Sequence, residues 1–465
     1  MDTIIKIIIV GALFIPIVFN ALKYNKWYLY IFFGFYSILP DTFAIELSAS
    51  LPLITGKRVL VLLICGIWIY NFKYRKREHI PRELLIYVIV EAAISIINLT
   101  HGFGQINSII ITVFEQFMMV MAVKSLVENE DEVYRCIDFL IYGSVALAVM
   151  SILQTVINLD VTTVLALTQE RVVQNISDRM NNVRAFGVTN AISNGCYCAF
   201  MCLITMFMYE HKKRFKYIIF LVVNAVALLC TMTRSALLAL GITIAVMFIV
   251  RNRYFIRTYA RYIVLAIVGV VGIFILKPSI FDSVIEVFKS IFNVLGFDFE
   301  LSEEFGFNAD NASNSRLMQW SALYYMSGEG YLLFGYGYNA YLRGYVYYYF
   351  EQFKAWVKAP ALDTGFVAIA VQSGIIGLLN NLLLWTSIAI SSLQHRDKRH
   401  KVFDIYKLTV YITFMYMIIN VASAFPNTEL VWLYLAIFFS YRKIKFEDKH
   451  RLLYQERKKC ICKMK

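Results

Sequence analysis

Residues 217–250 read YIIFLVVNAVALLCTMTRSALLALGITIAVMFIV. Two apolar runs follow each other with only a few polar residues between them, and Arg234 is one of those residues. Runs joined this tightly predict a hairpin of membrane helices, since in lipid a helix satisfies all of its own backbone groups. The Arg234 guanidinium must then sit at the membrane surface or just below it. A charge at that depth is expensive and usually functional. Its rigid fork of donors suits phosphate oxygens, and the hydroxyls of Thr231, Thr233 and Ser235 surround it. The alternative is a side chain that snorkels to lipid headgroups.

The pattern of this hairpin extends along the whole chain. The 465 residues are 59% hydrophobic and only 17% charged, with a mean hydropathy of +0.61. A soluble domain carries about 25% charged residues, so the composition excludes a soluble protein. Thirteen apolar spans begin near Ile4, Trp27, Arg58, Glu83, Gln105, Tyr134, Thr189, Tyr217, Ser235, Tyr262, Gly365, Tyr406 and Leu430. The last span has only about 12 apolar residues and needs its flanks to cross. The first lacks a small-residue cleavage site and is expected to stay as a helix. The sequence thus predicts an all-alpha polytopic membrane protein with 12–13 transmembrane helices.

Lysine and arginine orient the stack. One side receives Lys23 and Lys26, Lys73 to Arg82, Lys124 with Arg135, His211 to Lys216, Arg251 to Arg261, His395 to Lys401 and the tail from Arg442. It holds 31 of the 45 basic residues, which predicts that this side is cytoplasmic and the N-terminus outside. The net charge of +13 is therefore a topology signal and an anionic-lipid contact, and nucleic acid is not an expected partner. Residues 1–441 read as one transmembrane domain, and residues 442–465 as a basic cytoplasmic tail whose last twenty residues look disordered. Among the eight cysteines, Cys460 and Cys462 form only a weak pair, so neither a disulfide framework nor a metal site is expected.

Two outer loops are long, at about 160–188 and 277–362, and loops of that length usually carry function. The second contains NSRLMQWSALYYMSGEGYLLFGYGYNAYLRGYVYYYF, residues 314–350, with eight tyrosines between Tyr331 and Tyr349. Leu317 to Met326 predicts a short amphipathic helix on the membrane surface. The tyrosines, among them Tyr336 and Tyr338, together with Trp320, suit sugar rings: aromatic faces pack on C–H faces and phenols meet hydroxyls. An interfacial aromatic belt is the other reading. Gly335 and Gly337 permit tight turns and close backbone approach. Arg184 and Arg316 add further guanidinium groups on this side. Asp363, just ahead of the eleventh span, is a helix N-cap by position. It is also a candidate base for a sugar hydroxyl, in competition with Glu303, Glu304, Asp310 and Glu329.

Four segments in order resemble the O-antigen ligase and polymerase superfamily of bacterial surface-polysaccharide assembly. RAFGVTNAISNG from Arg184 resembles its arginine-glycine-asparagine stretch, and LCTMTRSALLAL places Arg234 on the family arginine. In the long loop, Arg316, Trp320, Gly335 and Gly337 fall on an arginine, tryptophan, glycine-x-glycine pattern. DTGFVAIAVQSGIIGLL, with Gly374 and Gly377, resembles the stretch that enters the next span. The resemblance runs from Arg184 to Leu379. Where ligases that resemble the superfamily carry histidine then asparagine, this chain has Asp363 then Thr364, which favours a polymerase.

The resemblance implies an architecture similar to lipid-linked (GT-C-like) glycosyltransferases in the bacterial cytoplasmic membrane, acting on the extracytoplasmic side. The implied substrate is an undecaprenyl-diphosphate-linked oligosaccharide, with a flippase and a chain-length regulator as pathway partners. Arg234, Arg316 and Arg184 would stabilise the leaving diphosphate and Asp363 would act as base, with neither metal nor cofactor. A ligase and a lipid-linked-oligosaccharide flippase are the rival readings.

Overall fold

A computed structural model describes residues 3–23, 25–39, 44–45, 54–72, 79–102, 109–157, 185, 187, 191–251, 285–289, 293, 299–300, 316, 318–338, 340, 344–350, 354–359, 362, 364–397, 403–423 and 429–463. Among them the chain is a helical bundle. In order, the helices are α1 (Thr3–Leu22), α2 (Trp27–Ile38), α3 (Gly56–Phe72), α4 (Arg82–Thr100), α5 (Met119–Leu126), α6 (Glu130–Ile157), α7 (Ala191–Lys212), α8 (Lys216–Cys230), α9 (Arg234–Arg251), α10 (Ser321–Gly328), α11 (Gly365–His395), α12 (Ile405–Ala422) and α13 (Glu429–Lys463). A π-helical run, Ile111–Met118, leads directly into α5. Five helices, α4, α6, α7, α11 and α12, are long and apolar enough to cross a membrane by length and composition. The tenth expected span, near Tyr262, lies outside the described residues. The other twelve expected spans each coincide with a helix, the fifth being the π run with α5.

The helices are sorted by face in the way lipid demands. On α4, Leu85, Ile86, Ile89 and Ile96 point outward, whereas Glu91, Ser95 and Asn98 are buried. Polar side chains turned inward and apolar ones outward are the membrane pattern. The core runs through α2, α4, α6, α7, α12 and α13, with Phe32, Phe33, Phe200, Phe207, Phe438 and Phe439 among its largest buried side chains.

One end of the bundle collects the cations. Lys26 bonds the Leu126 carbonyl at 2.6 Å and meets Glu128 at 3.0 Å. Arg442 pairs with Glu83, Lys445 with Glu130, and Lys212 with Asp138. Asp404 caps α12 at the same end, accepting from the Lys407 N–H at 2.8 Å. The opposite end carries Arg234, the loop residues from Arg316 and the start of α11.

Two expectations change here. The last twenty residues do not begin a disordered tail: α13 is one 35-residue helix that takes in the flanks of the short apolar span and runs on to Lys463. The segment LMQWSALYYM is helical at Met318 and Gln319, turns at Trp320 and continues as α10 from Ser321. Ala322 and Met326 of that helix pack into a small core with Tyr336, Tyr348, Leu362, Val367 and Val371. An antiparallel hairpin closes this core, with the strand Tyr347–Phe350 pairing Tyr349 with Trp356 of the strand Ala355–Lys358.

α11 is broken at Gly374, which has φ 70° and ψ −175°. The loop at Leu332–Gly337 repairs the break. Tyr336 N–H donates to the Val371 carbonyl at 2.8 Å and Gly337 N–H to that of Gln372 at 2.9 Å. Ile375 N–H donates to the Leu332 carbonyl at 2.9 Å, and Ile376 N–H to that of Leu333 at 3.3 Å. Backbone groups freed by a broken helix must find such partners. From α4, Asn98 donates to the Phe334 carbonyl at 3.0 Å, while Glu91 accepts from Ser373 Oγ at 3.0 Å.

Candidate active site

Arg234 opens α9 after a turn of three residues, in which Met232 has φ 51°. Hydroxyls hold this turn. Thr231 Oγ1 donates to the Leu228 carbonyl at 2.7 Å, and Thr233 Oγ1 donates to the Ala191 carbonyl at the start of α7 at 3.0 Å. The space where Gly195 would carry a Cβ is filled by Thr233 and Thr231. α7 therefore lies directly on the turn, and the half-buried Arg234 starts its helix at the junction.

Ser423, just past the end of α12, joins two further elements. Its hydroxyl bonds that of Ser235 in α9, and its carbonyl accepts from the Gly365 N–H of α11 at 3.1 Å. The N-termini of α7, α9 and α11 are thereby gathered at one end of the bundle. Helix N-termini carry partial positive charge and free N–H groups, so they suit anions.

The long loop reaches the same place through Gln319, whose Oε1 accepts from the Thr364 N–H at 3.2 Å. This bond sets Arg316, three residues earlier, beside the start of α11. Arg316 Nε, Thr364 Oγ1 and Asn420 Oδ1 are buried and have no hydrogen-bond partner among the described residues. A buried polar atom left unmatched costs about 1–3 kcal/mol, and atoms of this kind mark places where a ligand can supply the match. Asn420 Oδ1 occupies the space that a Cβ on Gly365 would need, so any larger residue there would push α11 off α12.

The expected site residues divide clearly. Arg234 and Arg316 are brought to the same end of the bundle. Asp363 and Arg184 lie outside the described residues. Their neighbours are placed: Thr364 is bonded to Gln319, and the Ala185 N–H donates to the Cys230 carbonyl at 3.0 Å, four residues ahead of Arg234. Gln154 and Gly187 exchange two 2.9 Å bonds, and Asn194 reaches Ser151 at 2.9 Å, which ties the segment after Arg184 to α6. Thr233 and Ser235 spend their hydroxyls on joining helices. Gly335 and Gly337 lie against the α11 backbone, and a Cβ on Gly335 would come 2.6 Å from Gln372. Tyr336 is 3% exposed and belongs to the core under the loop. Burial there raises its phenol above the ordinary value, with Glu329 adding to the effect. Trp320 is exposed at the start of α10, and Tyr338 is half-buried.

Sequence reasoning missed Gln319, Thr364, Asn420 and Ser423. Asn420 and Ser423 did carry a signal, as polar residues closing the apolar span YITFMYMIINVAS. Among the described residues no group of three or more histidine, cysteine or acidic side chains could hold a metal ion. His101, at the end of α4, meets Tyr331 edge-on with ring centres 6.3 Å apart.

No curated protein matches the chain. A family model described as O-Antigen ligase matches residues 199–382, a stretch that includes Arg234, Arg316, Gln319, the broken helix and Thr364. Residues 199–382 of this chain are thus similar to the O-antigen ligase family model, over the stretch that carries the resemblance seen in the sequence.

Proposed function

We propose that the protein polymerises undecaprenyl-diphosphate-linked oligosaccharide repeat units into a surface polysaccharide, at the outer face of the bacterial cytoplasmic membrane. The observation that carries this reading is that Arg234, Arg316 and three helix N-termini belong to the end of the bundle opposite the cation-rich one. By positive-inside bias the cation-rich end is cytoplasmic, so this site faces outward.

The donor is the growing glycan on its lipid diphosphate, and the acceptor is a single repeat unit on a second carrier. An acceptor hydroxyl oxygen attacks the anomeric carbon, and the bond from that carbon to the phosphate oxygen breaks. Asp363 takes the hydroxyl proton. The departing diphosphate gathers charge, and Arg234, Arg316 and Arg184 with the helix N-termini stabilise it where it develops. One displacement inverts the anomeric centre, and no metal takes part.

The family description favours a ligase as the second reading, in which finished glycan passes to an acceptor outside the lipid pool. Asp363–Thr364 in place of histidine–asparagine favours the polymerase. A flippase fits less well, because Glu115, one of the few acids within the spans, is paired with Arg58.

The test is the glycan ladder from cells with and without the gene. Loss of long chains with single repeats retained supports the polymerase. Full-length chains stranded on the lipid carrier would indicate the ligase. Repeats trapped on the cytoplasmic face would overturn both.

A further inference from the structure

Burial sorts the aromatic residues of the long loop into two sets. Tyr336 and Tyr348 are buried, whereas Tyr324 is 77% exposed and Trp356 38% exposed. Trp356 is the centre of a ring cluster. Tyr324 stacks beside it at 8° with centres 6.3 Å apart, Tyr325 is tilted against it at 5.3 Å, and Tyr349, its partner across the hairpin, meets it edge-on at 5.7 Å. The surface spans α10 and both strands of the hairpin.

Its chemistry separates a sugar from a lipid. The inward side of the hairpin takes Tyr348 into the small core, with Phe350 packed against it. The outward side keeps Tyr347, Tyr349, Trp356 and Lys358, with Lys354 exposed at the hairpin turn. Every outward ring therefore carries a hydroxyl or an indole N–H, and Lys354 and Lys358 belong to the same hairpin. Flat apolar faces rimmed by donors match a ligand that offers C–H faces and hydroxyl or carboxylate acceptors together.

The surface is also joined to the candidate site. Ser321 Oγ accepts from the Tyr349 N–H at 2.7 Å, and Gln319, two residues earlier, holds the Thr364 N–H. A ligand on the rings is thus placed relative to the start of α11.

We propose that Tyr324, Tyr349 and Trp356 form a saccharide-binding platform that holds the growing glycan beside the reacting centre and sets product length. This rests on the polymerase reading. Glycan bound at a second place stays near the site after each transfer, so extension competes better against release.

The test uses the full-length protein in nanodiscs. The probe is short oligosaccharide released by mild acid from the host cell's own surface polysaccharide, and the readouts are binding isotherms and the glycan ladder. Trp356→Ala with Tyr324→Ala should weaken binding about tenfold, the scale of a lost aromatic stack. It should shorten the ladder while the first two-repeat product still forms. Trp356→Tyr should restore most of both. Unchanged affinity and an unchanged ladder in the double variant would overturn the platform. So would quenching of the Trp356 emission by spin-labelled headgroups with no response to the saccharide, which would make the rings a membrane lip. If the wild-type protein makes no linked product, the polymerase reading fails, and the binding isotherm alone then decides the platform.

Discussion

Replacing Gly374 by alanine should separate the long loop from the broken helix. The φ of 70° and ψ of −175° at this residue lie where only glycine is at ease, and an alanine there carries about 1–3 kcal/mol of strain. The added Cβ would also stand 2.0 Å from the Leu333 carbonyl oxygen and 2.2 Å from its carbon. Both atoms are backbone, so the loop must retreat as a unit. Its four hydrogen bonds to α11 are then lost or stretched, at about 1 kcal/mol net each. The expected destabilisation is roughly 5–7 kcal/mol. It should be read as a lower melting temperature of the detergent-purified protein and as absent polymer in cells. Gly241→Ala is the control, because no atom lies within 4 Å of its Cβ. That change should be neutral or stabilise α9 by about 0.5–1 kcal/mol. A Gly374→Ala protein that melts and polymerises like the wild type would refute the reasoning.

Arg234→Ala should abolish polymer while the protein remains in the membrane at normal abundance, and Arg234→Lys should retain little, since a point charge does not replace a two-pronged donor; blotting with the glycan ladder checks both. Arg58→Met strips Glu115 of its guanidinium inside the bundle and should cost about 3–5 kcal/mol, whereas Arg58→Met with Glu115→Leu should cost far less; thermal melts distinguish the two. Gln319→Ala leaves the Thr364 N–H without its acceptor and should cost about 1–3 kcal/mol, with turnover falling more than protein level in membrane assays. Lys445→Ala, at the rim of the cation-rich end, should change stability by less than about 1 kcal/mol, again by melting temperature.

The helices were legible because lipid imposes one rule on every span: apolar residues outward for most of the length, cations at one end. The break in α11 was not. QSGIIG sits in an unbroken apolar run, and its partner LLFGYG lies some forty residues upstream, so neither segment alone announces the other. Glycines 335 and 337 let the loop backbone approach that of α11 closely. The hydroxyls at Thr233 and Ser235 have the right chemistry for a phosphate and are used between helices instead. Tyr336 shows the limit of counting aromatics, since a tyrosine cluster does not say which rings face in. α13 was misjudged because its last third is polar, and polarity alone does not separate an unfolded tail from a helix that leaves the bilayer.

That last helix sets a dimension. Thirty-five residues at about 1.5 Å each make α13 about 52 Å long, against a hydrocarbon core of about 30 Å. It meets the cation-rich end of the bundle at Arg442 and Lys445. Beyond Lys445 it continues to Lys463, roughly 27 Å further at the same rise per residue. α13 is therefore a ruler built into the molecule. A label fixed at its far end lies well beyond the last ion pair of the bundle and magnifies small tilts into displacements that a distance measurement can resolve.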